Sequence, residues 1–174
     1  MPGEILTRWT IRLALLGYAL FLGGSIFYGK GPGDGRGWPA AARWIWTISC
    51  VFFIAHVTCA FAFHHHWRHA EAFAVTAQRT REMLGFAFGG GIYFSYAFTL
   101  LWAADVVWLW VAPRIRPWWL MGSLHLYLFF IAFNGAIIFE GGVTRWCGIA
   151  ACLLLAGLSV WRLLAPSRSL EPSV

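Results

Sequence analysis

The chain has 174 residues, 60% hydrophobic and 11% charged, with a formal net charge of +6. Soluble domains carry about a quarter charged residues, so an ordinary soluble fold is excluded, and the apolar runs leave no room for one beside them. The basic residues stand singly or in pairs at run ends rather than in a continuous stripe, which excludes nucleic-acid binding and reads as anchoring at lipid headgroups.

The first run, Ile11–Tyr28, follows Arg8 and Arg12. No small-x-small cleavage site follows it closely, so it is expected to be an uncleaved first span rather than a signal peptide. Gly31, Pro32, Gly33, Asp34, Gly35, Gly37 and Pro39 then mark a loop over Lys30–Arg43. The second run, Trp44–Phe63, carries His56 near its middle and leads into His64, His65, His66 and His69. The stretch His64–Met83 has no proline or glycine and is predicted to continue the second span as helix beyond the bilayer. On it His65, His69, Ala72 and Thr76 share a face, and Arg68–Glu71 and Arg79–Glu82 are placed to pair.

The third run, Leu84–Ala112, opens on Gly85, Gly89, Gly90, Gly91 and Ser95, read as a small-residue face for close helix packing. Gly17, Gly24 and Gly148 are expected to do the same elsewhere. Pro113 and Pro117 bracket a tight turn into the fourth run, Trp118–Phe139, which carries His125 and Asn134. Asn134 is expected to join helices by hydrogen bonding. A short connection, Glu140–Arg145, leads to the fifth run, Trp146–Leu164.

Each run reaches about the 20 residues a bilayer requires, and tryptophans cluster at the run ends as interfacial belts do. The alternating ten-residue segments of a membrane barrel are absent. The fold class is therefore an all-α integral membrane bundle over residues 1–174, one domain of five transmembrane helices with an interfacial helical extension after the second. Its expected location is the membrane, its partners the lipid bilayer and other membrane-protein subunits. Six basic residues fall on one side (Arg8, Arg12, Arg68, Arg79, Arg81, Arg145) and seven on the other (Lys30, Arg36, Arg43, Arg114, Arg116, Arg162, Arg168). Positive-inside orientation needs an asymmetry, and charge supplies none. Cys50, Cys59, Cys147 and Cys152 all lie in apolar runs without a CxxC pair and read as small core residues.

Polar side chains at membrane depth are costly and point to function. Asp105 lies about 10 Å below the end of its span, and His125 about 10 Å into the antiparallel neighbour. At equal depth Asp105 could orient the His125 ring; the alternative is that it pairs with Arg114 or Arg116 as a helix-end anchor. Parallel spans two and four bring Glu140 to the same interface as the histidine cluster. His64, His65, His69 and Glu140 are ligand types that first-row metals accept, with His65 and His69 one helical turn apart.

Three functional readings follow. In the first, a small b-type cytochrome, His56 and His125 hold haem b between facing helices and Asp105 orients or relays. His56 lies about 18 Å into its span against about 10 Å for His125, a mismatch of height. In the second, a transition metal on His64, His65, His69 and Glu140 serves a membrane-bound enzyme. In the third, the chain is a non-catalytic subunit or relay without a cofactor. No P-loop, GxSxG, CxxCH or internal repeat is present.

Overall fold

In a bilayer every backbone polar group must find its partner within the chain, and an apolar run meets that demand most simply as a helix. The computed structural model describes residues 2–28, 40–112, 115 and 117–164. They form α1 (Pro2–Tyr28), α2 (Ala40–Phe63), α3 (His69–Leu84), α4 (Gly91–Val111), α5 (Trp118–Phe133, continued by a π turn Asn134–Ile138) and α6 (Gly142–Leu164). Segments Gly3–Phe27, Ala41–Phe63, Gly91–Val111, Trp118–Ile138 and Gly142–Leu164 are long and apolar enough to cross a membrane. By length and composition, this is a multi-pass membrane protein. Most of the loop expected over Lys30–Arg43 (residues 30–39), and Pro113, Arg114, Arg116 and Arg168, lie outside the described residues.

The first helix starts earlier than its apolar run because proline needs no N–H partner in a first turn. Within it Thr7 and Thr10 fold their hydroxyls back onto Gly3 O and Leu6 O, each at 2.8 Å. The larger departure comes after α2. The second span does not run on as one helix: His66 (φ 46°) and Trp67 (φ 58°) take the left-handed conformation. Amides of both His64 and His65 reach Ala60 O, at 2.9 and 3.2 Å, and the chain restarts as a separate helix at His69.

The glycines of the third run also find another use. Gly85 caps α3 in the left-handed region at φ 83°, its N–H on Arg81 O at 3.0 Å. Gly89 and Gly90 form the turn into α4, so this is not a face between spans. A side chain at Gly89 would run into the Phe73 ring of α3, which lies directly on that backbone. Gly17, by contrast, is a true close approach: a Cβ there would collide with Ser49 Oγ of α2. Gly148 does the same at Ile137, 3.0 Å away, whereas nothing lies near Gly24.

The core joins Tyr18 and Phe21 of α1, Trp46 and Cys50 of α2, Phe98, Trp102 and Leu109 of α4, and Leu128 of α5. α6 contributes no buried residue and rests on α1 and the π turn. Asn134 does not reach a neighbouring helix; its Nδ2 donates to Phe130 O of its own, at 2.7 Å. Arg145 closes the α5–α6 corner instead. Its Nε donates to Ile137 O (3.0 Å) and Glu140 O (2.8 Å), and Nη2 lies 3.4 Å from Ile138 O. These are carbonyls left over where the helix ends. Arg145→Ala should therefore lower stability by about 2 kcal/mol, read as thermal unfolding in detergent. Arg145→Lys should recover only part, since an ammonium lacks the planar fork that spans several carbonyls.

Candidate functional site

The deep polar residues converge on one indole. Trp46 lies six positions into α2 and Asp105 six positions before the end of α4, and antiparallel packing brings equal depths together. Trp46, fully buried, donates Nε1–H to Asp105 Oδ2 at 2.8 Å. The His125 ring comes to the same indole from α5, with centroids 5.3 Å apart, and also meets Phe21 at 5.7 Å. Asp105 and His125 thus share a level and a neighbour, and the donor seen at the carboxylate is an indole. The alternative partners, Arg114 and Arg116, lie outside the described residues.

Rings fill the space around this contact. Phe21 stacks on Trp46 at 4.1 Å, Trp102 lies 4.8 Å away, and Tyr18 sits 5.5 and 5.6 Å from the two indoles. From Trp102 the rings continue to Phe53 at 5.6 Å and from Phe53 to His56 at 6.1 Å. Phe53, Trp102 and Trp46 therefore stand in series between His56 and His125. His56 turns instead to α1, with Nδ1 2.9 Å from Thr7 O. A carbonyl only accepts, so Nδ1–H is the donor in this contact.

At the interface the histidines part company. The helix break sends His65 against Phe61, edge to face at 5.6 Å, and His69 onto α4, with Nδ1 2.9 Å from Tyr96 Oη and Nε2 3.5 Å from Tyr93 Oη. Their expected spacing of one helical turn does not hold, because they are not on one helix. His66 Nδ1 lies 3.6 Å from Glu71 Oε2, an ion-pair distance too long for a hydrogen bond. Glu82 takes Gln78 Nε2 at 2.9 Å, so both acids have partners other than the arginines expected. His64 is exposed, and Glu140 is exposed with its carbonyl on Arg145. Among the described residues, no three His, Cys, Asp or Glu side chains form a group that could hold a metal ion. His64, His65, His69 and Glu140 are accordingly not brought together.

Burial, and then the His64 ring beside it, push the His65 pKa below the usual histidine value, with Glu71 opposing. His65 Nδ1 is buried without a hydrogen-bond partner among the described residues, which suits a neutral ring. A lowered folded-state pKa means that this contribution is present above the unfolded value, about 6.5, and is lost as pH falls through the folded one. His65→Gln should therefore flatten the loss of thermal stability on acidification, measured as melting temperature against pH beside the unaltered protein.

Reading the sequence by polar residues missed Trp46, Trp102 and Tyr18. A signal was available at Trp102, which stands inside its apolar run rather than at its end, whereas Trp46 lies only two residues from the start of its own, where belt tryptophans lie. Compared with protein-family models, curated proteins and solved structures, the chain matches none.

Proposed function

We propose that this chain is a non-catalytic membrane subunit in which the buried polar residues act as fasteners between helices. The observation that carries this reading is the distribution of cross-helix hydrogen bonds. α1 and α2 share His56 with Thr7 O. α2 and α4 share Trp46 with Asp105, and Trp110 Nε1 with Thr47 Oγ1 at 3.0 Å. α4 and α5 share Tyr127 Oη with Phe94 O at 2.8 Å, while Tyr18 Oη of α1 approaches His125 O of α5 at 3.5 Å. Apolar burial gives little drive between helices already dissolved in lipid, so such bonds and close packing must hold them. His56, Asp105 and His69, which looked like ligands or relays in the sequence, thereby have a mechanical task.

The test is an absorption spectrum and a metal analysis of detergent-purified protein, oxidised and dithionite-reduced, beside thermal unfolding of His56→Ala and Asp105→Ala. The expected result is no Soret band, no stoichiometric metal and lowered stability in both variants. A Soret band with sharp reduced bands that His56→Ala or His125→Ala bleaches would overturn the proposal in favour of a cytochrome. Stoichiometric iron, copper or zinc released by His65→Ala or His69→Ala would overturn it in favour of a metal site.

A further inference from the structure

We propose that α3 and the turn that follows it form an in-plane lipid anchor, seated in the headgroup–acyl boundary of one leaflet through apolar burial and independent of lipid charge. The tethers impose the location. Residues 64–68 join α3 to the end of α2, and residues 85–90 join it to the start of α4. Chain links that short, at no more than about 3.6 Å per residue, keep the helix at the level where two spans leave the membrane.

One edge of α3 is used up by the protein. Ala72 and Thr80 are buried, Thr80 Oγ1 lies 3.2 Å from Phe88 O, and His69 holds Tyr96. Beside that edge runs an apolar strip. At 100° per residue, Ala70, Phe73, Ala77 and Leu84 fall within an arc of about 60°. Leu84 is 53% exposed, and the strip is flanked in sequence by exposed Trp67 (67%) and Phe86 (58%). Phe63, Tyr93 and Phe94 of the flanking spans are also exposed, and the Phe73 ring meets Tyr93 at 6.4 Å. Gln78, Glu71 and Glu82 centre about 130° away from the strip, on the side left for water.

Charge separates this anchor from a basic one. Within α3, Arg79 and Arg81 are matched in number by Glu71 and Glu82, and Arg68 at its N-cap is the one surplus positive side chain of the 67–86 segment. Helices held by anionic lipid carry an excess of Lys and Arg on the polar face, and this one has none. A zwitterionic surface is therefore sufficient, with the indole of Trp67 placed as interfacial tryptophans are.

The experiment uses the full chain in phosphatidylcholine nanodiscs, with Cys50, Cys59, Cys147 and Cys152 replaced by serine or alanine. Single nitroxide labels are placed at Ala77→Cys, Leu84→Cys and Phe86→Cys on the strip, and at Gln78→Cys and Glu82→Cys opposite. Oxygen should be the dominant relaxant on the strip and a water-soluble nickel complex on the other side, unchanged by added phosphatidylglycerol or high salt. Nickel access at every position, shielding of the strip from both reagents (a second protein copy covering it), or a pattern that appears only with phosphatidylglycerol would each overturn the proposal. In the protein with its natural cysteines, Trp67→Phe should remove several-fold more quenching by shallow brominated lipid than Trp46→Phe; equal losses would also overturn it.

Discussion

Trp46→Ala should cost about 3 kcal/mol of unfolding free energy, the lower end of the range for a buried tryptophan, measured by denaturing-detergent titration in mixed micelles. The lower end applies because leaving lipid for a protein interior brings little hydrophobic gain. What is lost is dispersion against Phe21, Tyr18 and Trp102, plus the cavity. The hydrogen bond to Asp105 is the smaller part. Trp46→Phe removes the donor and keeps most of the ring, and Asp105→Asn keeps an acceptor and removes the charge. A double-mutant cycle between Trp46→Phe and Asp105→Ala should give a coupling of about 1 kcal/mol. A coupling near zero, with each single change costly, would mean that the two residues contribute through packing alone.

Gly17→Leu is expected to be of similar size, about 3 kcal/mol, the upper end for overpacking. α1 and α2 approach closely at Gly17, whose missing Cβ leaves the place that Ser49 Oγ occupies. Ser49 cannot simply rotate away at no cost, because its Oγ donates to Ile45 O at 2.6 Å. The milder Gly17→Ala gains about 1 kcal/mol of helix propensity and loses more to the collision. Adding Ser49→Gly should restore stability fully. Ser49→Ala should restore it only in part, since Ser49 Cβ remains 3.1 Å from the new methyl group. Identical behaviour of both second-site changes would show that the hydroxyl alone sets the contact.

Run lengths and tryptophan belts were enough to define an all-α bundle of five spans, because length and apolarity are local properties that a bilayer tests directly. Equal depth for Asp105 and His125 was equally legible, since helical rise is a fixed length and their spans are adjacent and antiparallel. The break after α2 was not. His64–Met83 has good helical composition throughout, and the turn at His66 and Trp67 uses residues that give no local warning of a left-handed conformation. Beyond it α3 lies against α4, with the Phe73 ring at Gly89 and Thr80 Oγ1 at Phe88 O.

The sequence by itself therefore determined the all-α architecture and five segments long and apolar enough to cross a membrane. Only the tertiary structure decided which side chain each polar residue meets. Rotation about a helix axis is invisible to hydropathy when a span is apolar on every side, and it is rotation that turns Trp46 toward Asp105, His56 toward Thr7 and His69 toward Tyr96. Interhelical contacts settle that angle, and they exist only once the bundle has assembled.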